Sequence, residues 1–159
     1  MKTKKLFYVI AILFGFTIIL STSCTKEEDN DDDGSNSCSG YISAKATGEV
    51  NADYCLDKLT NYDGTELSVA NQSNSTYNIF VKMINGLKVG TFNCDGSYNS
   101  GYIELNLHGN TSEFYGSKSG TLTITKVDQN TLEGTFDVTC KGYNNKKDIH
   151  LVGKINYRK

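Results

Sequence analysis

Residues 119–128 read SGTLTITKVD, and residues 134–140 read GTFDVTC. In the first segment Leu122 and Ile124 alternate with threonines, and the second segment alternates apolar and polar residues in the same way. Since successive side chains of a β-strand point to opposite faces, this period of two predicts strands with one buried face. The turn sequence DQN lies between the segments and joins them into a hairpin.

The same alternation extends outward over most of the chain from Tyr41 onward, with turn sequences about every 8–12 residues. The 159 residues include no proline and no tryptophan, and no stretch shows convincing helical periodicity. Tyrosine, threonine, serine, asparagine and glycine are plentiful, as is typical of strands and tight turns. We therefore predict an all-β domain over residues 38–159, an antiparallel sandwich or barrel of roughly 8–10 strands with little or no helix.

Two local predictions concern the middle of this domain. The dipeptide Asn85-Gly86 is a strong hairpin signal, which predicts that residues 87–92 return beside residues 76–84. Residues 114–115 precede a glycine and are interpreted as a short, separate piece of structure.

Residues 1–23 have the features of a signal peptide. Three lysines precede an uncharged apolar run over residues 6–20, which is shorter than the roughly 18 residues expected of a spanning helix. Ser21 and Ser23 satisfy the small-x-small rule of ordinary secretion. The segment LSTSC resembles a lipoprotein box, in which Cys24 becomes the first mature residue and carries acyl chains that hold it in a membrane. An uncleaved membrane anchor is the remaining alternative.

Residues 24–37 hold six acidic residues and one lysine. Beyond Cys24 the segment has no apolar residue with which to form a core, so we expect a disordered tether. Its DxDxDG sequence matches the opening of a calcium-binding EF-hand loop. The twelfth position of that loop is Gly40, however, where a bidentate glutamate is required, so we predict no metal site.

The first residues of this tether resemble a sorting signal. Lys26, Glu27, Glu28 and Asp29 begin two residues after the cysteine and are similar to the lysine-plus-acidic export signal of Bacteroidota-type surface lipoproteins. The resemblance implies an outer-membrane lipoprotein whose domain faces the cell exterior. A plain spacer, with the domain facing the periplasm, is the alternative.

A second resemblance lies within the domain. The segment SGTLTITKVD at residues 119–128, followed by GTF at residues 134–136, is similar to a family of small Bacteroidota-type lipoproteins of uncharacterised function. A Gly-Thr-aromatic step in mid-domain, here at residues 90–92, belongs to the same resemblance. It implies an all-β fold and an envelope setting, and it supplies no catalytic residues.

The chain has five cysteines: Cys24, Cys38, Cys55, Cys94 and Cys140. Exported domains meet an oxidising compartment, where cysteines tend to pair, and an odd number leaves one with another fate. Lipid attachment at Cys24 leaves four cysteines, which we expect to form disulfides. Three connectivities are possible and the sequence does not choose among them. Buried reduced thiols are the competing interpretation.

Charge and motifs exclude several classes of function. Residues 38–159 carry 12 basic and 12 acidic residues, so the domain has no basic surface for nucleic acid. The two histidines, His108 and His150, stand in no metal-binding spacing and are expected on the surface. The chain contains no hydrolase, zinc-protease or phosphate-loop motif. We predict no cofactor and no enzymatic activity.

Tyrosines near predicted loops are the remaining candidates for ligand contact: Tyr98, Tyr102, Tyr115 and Tyr143. Aromatic rings beside amides can stack on and hydrogen-bond a glycan or a protein. The first hypothesis is therefore a lipid-anchored, surface-exposed binding or interaction module. A structural or accessory lipoprotein acting through another envelope protein is the second hypothesis. A hydrolase whose site is assembled only in three dimensions is the third.

Overall fold

The structure is a computed structural model that describes residues 38–72, 76–107, 113–144 and 146–159. The described residues form strands, turns and bends and contain no helix. None of them belongs to a helix long and apolar enough to cross a membrane. The predictions for the signal peptide, the tether, Cys24, His108 and the export signal at Lys26, Glu27, Glu28 and Asp29 fall outside these ranges.

Ten strands follow one another along the described part of the chain. They are β1 (Ile42–Gly48), β2 (Ala52–Leu56), β3 (Lys58–Tyr62), β4 (Glu66–Ala70), β5 (Tyr77–Lys82), β6 (Gly90–Asn93), β7 (Tyr102–Leu107), β8 (Glu113–Val127), β9 (Thr131–Gly142) and β10 (Ile149–Arg158). The all-β prediction is confirmed.

These strands form one antiparallel sheet that nearly closes into a barrel. Strands adjacent in sequence are mostly adjacent in the sheet, and β10 returns to pair with β1. Only Asp57 separates β2 from β3, yet β2 pairs with β1 while β3 pairs with β4. The segment from β2 to β3 therefore connects the two ends of the sheet, and of the two predicted architectures the barrel is the one found.

The longest strand, β8, overturns two local predictions. Residues 114–115 are not a separate piece but the start of β8, whose first residues pair with β7. The chain after Asn85-Gly86 does turn, but β6 pairs with residues 121–124 of β8. It does not return to β5, because β7 occupies that edge of β5 along its whole length.

Inward-facing side chains fill the barrel. They form one buried cluster that draws on every strand except β3 and β6 and includes the large side chains Tyr115, Phe136 and Tyr157. Most of these side chains have almost no exposed surface, so the interior is a packed core. The outer face of the sheet is consequently the surface on which a site can be built.

The cysteines behave differently from one another. Cys38 and Cys55 form a disulfide with Cα atoms 5.5 Å apart, which fastens the start of the described domain to β2. Cys94 and Cys140 are buried free thiols, so the expectation that all four cysteines pair is corrected. Cys94 lies beside Gly120 at one edge of β8, whereas Cys140 pairs with β8 from the other edge. The two thiols therefore come from opposite sides of β8 and form no disulfide in this structure.

Removal of the disulfide is expected to destabilise the domain by about 3 kcal/mol, because the bridge closes a loop with a sequence separation of 17. Urea unfolding of a Cys38→Ser/Cys55→Ser chain measures the change. Thiol counting in a Cys24→Ser chain tests the pairing itself. After denaturation we expect two reactive thiols before reduction and four after it, and four thiols before reduction would contradict the assignment.

Candidate functional site

The outer surface of the barrel has two contrasting regions. On β1, β9 and β10 most outward side chains are exposed and charged or polar, as at Lys45, Asp137 and Lys154. On β4, β5, β7 and the start of β8 the outward side chains are buried or half-buried. We call this second region the sheltered face. Its outward residues are Glu66, Ser68, Ala70, Asn78, Phe80, Lys82, Tyr102, Glu104, Asn106, Phe114 and Gly116.

Strand register sets these residues in rows across the sheet. Phe80 on β5 pairs with Glu104 on β7, and Glu104 pairs with Gly116 on β8. One row further along, Asn106 on β7 lies between Asn78 on β5 and Phe114 on β8. Strand β7 thus forms a polar central line, with one phenylalanine on each neighbouring strand.

Three tyrosines meet at one side of the sheltered face. The rings of Tyr98 and Tyr102 make an edge contact with centroids 4.5 Å apart. The Tyr102 hydroxyl donates a hydrogen bond to Glu104 Oε2 at 3.1 Å and is also hydrogen-bonded to Tyr143. We call Tyr98, Tyr102, Tyr143 and Glu104 the tyrosine site.

A glycine makes this arrangement possible. Gly116 occupies the outward position beside Glu104, and a Cβ added there would collide with the Tyr102 hydroxyl and come close to that of Tyr143. With no side chain at this position, both hydroxyls can lie over β8. Alanine at Gly116 is therefore incompatible with the observed position of Tyr102.

The Tyr102 hydroxyl at the centre of the tyrosine site is uncharged. Burial, the hydrogen bond with Tyr143 and the nearby Glu104 carboxylate all raise the pKa of Tyr102, so its hydroxyl remains protonated. Lys82 Nζ lies 5.1 Å from the Tyr98 ring centroid and 3.2 Å from Glu66 Oε2. The lysine charge is therefore already compensated by groups of the same face.

On the sheltered face, the Asn106 side chain has a buried oxygen atom without a hydrogen-bond partner. Asn106 is 4% exposed, and its Oδ1 atom accepts no hydrogen bond. Ser68, by contrast, donates to Asn78 Oδ1 at 3.2 Å and accepts from the Thr60 hydroxyl at 2.7 Å. A buried amide oxygen without a donor is uncommon in folded proteins.

Of the four tyrosines singled out from the sequence, the structure brings together Tyr98, Tyr102 and Tyr143. Tyr115 is placed elsewhere: it is fully buried in the core and donates to Glu113 Oε2. Side chains alternate between the two faces along β8. Gly116 is at an outward position, so its neighbour Tyr115 points inward. Glu104 and Asn106 were not among the site residues predicted from the sequence.

The other candidate groups show no assembled centre. His150 Nε2 lies 2.7 Å from Asp137 Oδ1, and both side chains are exposed on the charged side of the barrel. Among the described residues, no three His, Cys, Asp or Glu side chains form a group that could hold a metal ion.

Comparisons with protein-family models, curated proteins and solved structures found no match to this chain.

Proposed function

We propose that the chain is a lipid-anchored, surface-exposed, non-enzymatic binding module that takes its ligand on the sheltered face. The observation that carries the proposal is the tyrosine site on the outside of the barrel, where Tyr98 and Tyr143 both meet Tyr102, which in turn donates to Glu104. Tyrosine combines a large apolar ring with a hydrogen-bonding tip, which suits it to recognition surfaces.

The packed interior supports the choice of the outer face. A small barrel can hold a ligand inside when its inward side chains leave room. Here the inward positions carry large buried residues, Tyr115 and Phe136 among them. Binding on the outside of the sheet requires no rearrangement of this core.

Compensated charges favour binding over hydrolysis. The Glu104 carboxylate accepts a hydrogen bond from Tyr102, and the Glu66 carboxylate is paired with Lys82. A glycosidase-type mechanism needs one carboxyl group poised as an acid and a second as base or nucleophile. Two carboxylates already engaged with neighbouring side chains fit a structural role better.

The sequence supports the anchor. Cys24 follows an apolar leader, and Lys26, Glu27, Glu28 and Asp29 begin two residues after it. In the domain, the disulfide at Cys38 ties the chain to the barrel where the proposed tether ends. Because the disulfide joins Cys38 to Cys55 on β2, a pull on the proposed tether would act on β2 as well as on β1.

An exposed apolar loop favours a second candidate, an accessory lipoprotein that acts through another envelope protein. Ile84 and Val89 are both more than half exposed, and the Ile84 N–H donates to the Tyr98 carbonyl at 2.8 Å. The loop thus adjoins the tyrosine site and would enlarge an interface for a protein partner.

Surface display predicts that a glutamate-specific protease added to intact cells cuts within the acidic tether and releases the domain. A periplasmic marker protein in the same cells should remain intact. A Cys24→Ser variant should leave the membrane fraction. Display on the cell exterior is contradicted if the domain is cut only after the cells are lysed.

A further inference from the structure

We infer that the loop between β5 and β6 is a second contact with the membrane, at which Ile84 and Val89 insert among the lipids. This docking rests on the lipid anchor of the proposed function and adds a position for the domain on the membrane. Ile84 and Val89 are 59% and 61% exposed, more than any other large hydrophobic side chain that the structure describes. Both belong to one short loop, residues 83–89.

The loop is held in place by its own buried residues and hydrogen bonds. Met83 and Leu87 are 1% and 8% exposed and belong to the core cluster. The Gly86 N–H donates to the Met83 carbonyl at 3.0 Å, which closes a turn with Ile84 at its tip. The Leu87 N–H donates to the Gly64 carbonyl at 2.7 Å. Because the loop is already ordered, docking through it costs little conformational entropy.

The loop projects from the same end of the barrel as the point where the chain enters the domain. Strand register runs in one row from Ile42 of β1 through β10, β9 and β8 to Gly90 of β6. Since every pairing along this row is antiparallel and β1 and β6 are four pairings apart, the two strands point the same way. Residues 38–41 and 83–89 precede these two strands and therefore lie at the same end.

The position of the proposed anchor favours a lipid surface as the occupant of the loop. Residues 24–37 separate the lipid-bearing Cys24 from the disulfide-bonded Cys38, and a chain of this length spans at most roughly 45–50 Å. The domain is thereby confined near the membrane. A contact too weak to hold a free protein can then form, because it is made within one tethered molecule.

The small apolar area of the loop argues against a protein partner at this place. A stable protein–protein interface buries about 800 Å² on each partner. Ile84, Val89 and Tyr98, whose carbonyl accepts from the Ile84 N–H, are all partly covered and offer less than about half of this area. Lipid needs no matching surface to receive two aliphatic side chains, and tyrosine and lysine, here Tyr98 and Lys88, suit the boundary of a bilayer.

Charges near the loop favour apolar insertion over attraction by anionic lipid headgroups. Lys88 lies in the loop, with its Nζ 5.9 Å from the Phe92 ring centroid. Asp63 belongs to the turn that the loop contacts, and Lys82 at the end of β5 is paired with Glu66. Positive and negative charges thus nearly balance, so we expect docking on neutral lipid with little dependence on salt.

The test uses the full-length lipidated protein in phosphatidylcholine vesicles, with a nitrobenzoxadiazole fluorophore attached to Val89→Cys. Cys94 and Cys140 are buried thiols, so the added cysteine is the one that reacts in the folded domain. We expect blue-shifted emission and quenching by brominated lipids. A control label at Lys147→Cys, an exposed position between β9 and β10 at the opposite end of the barrel, should remain in water.

Substitution of the second apolar residue measures its share of the docking. Ile84→Ser in the Val89-labelled protein should lower the ratio of docked to undocked protein about tenfold, because the isoleucine side chain no longer moves into lipid. Val152→Ser is the matched control, since Val152 is 41% exposed on β10, away from the loop, and should leave the ratio unchanged. Ile84 and Val152 are both exposed, so neither substitution should unfold the domain.

Four results with the vesicles would overturn the inference: a water-exposed label at position 89, equal quenching at positions 89 and 147, docking only on vesicles that contain phosphatidylglycerol, or an unchanged ratio in Ile84→Ser. Cross-linking of an envelope protein, instead of lipid, to benzoylphenylalanine at position 84 in intact cells would overturn it as well.

The outcome also distinguishes docking from the anchor on which it rests. If the lipidated protein floats with the vesicles while the label at position 89 stays in water, docking fails and the anchor stands. If the protein carries no lipid at Cys24 and does not float with the vesicles, the anchor fails and docking fails with it.

Discussion

Replacing Phe136 with alanine is expected to lower the free energy of unfolding by about 3–5 kcal/mol. Phe136 is 1% exposed and lies on β9, between Leu122 of β8 and Gly153 of β10. Its ring packs against Gly153, where a Cβ would collide with it. Loss of the ring therefore opens a cavity where the three longest strands meet. For a domain stable by roughly 5–15 kcal/mol, this is a large share of the total.

Urea unfolding monitored by circular dichroism measures the effect. Thr135→Ala is the matched control, because Thr135 is the exposed neighbour of Phe136 on the same strand. We expect the control to change stability by no more than about 0.5 kcal/mol. A loss below about 1 kcal/mol for Phe136→Ala would contradict the packing described for this part of the barrel.

Local alternation was enough to predict the strands that lie around Phe136. Leu122 and Ile124 point inward on β8, and Thr121 and Thr123 beside them point outward, as the period of two requires. The same alternation holds on β7, where Leu105 points inward and Glu104 points outward. Alternation can be recognised in the sequence because the direction of a side chain depends on its position within its own strand. It does not depend on which strand is the neighbour.

Strand pairing was harder to predict because it depends on distant residues. The Asn85-Gly86 turn was recognised, but β6 leaves β5 and pairs with β8 about thirty residues later. Residues 84–93 alone do not specify which strand β6 pairs with. The pairing depends on β7, a later strand that occupies the edge of β5. The prediction that all four cysteines pair was wrong for the same reason. Whether Cys94 can reach Cys140 depends on β8, which lies between them in the sheet.

The candidate site was predicted only in part, because residue type was visible in the sequence while strand direction and burial were not. Tyr98, Tyr102 and Tyr143 were selected as loop-associated aromatics, and the fold brings them into one place. Tyr115 has the same composition around it in the sequence, yet lies in the core because its position in β8 is inward. The burial of Asn106 and its missing hydrogen bond became known only from the structure.

A photo-reactive benzoylphenylalanine at position 98 or 152 tests most directly whether ligand binds the sheltered face. The two sites are matched in accessibility, since Tyr98 is 44% exposed and Val152 is 41% exposed. They differ in location, because Tyr98 belongs to the tyrosine site and Val152 lies on β10 among exposed residues. A difference in adduct yield between positions 98 and 152 therefore reflects where each residue lies on the barrel and not how exposed it is.

The measurement is the yield of adducts after illumination of intact cells that make each variant, quantified by mass spectrometry for bound glycan and protein. We predict a reproducible adduct from position 98, its loss when Tyr143→Ala is added, and no adduct from position 152. Equal yields from both positions, or adducts from position 152 alone, would contradict binding on the sheltered face.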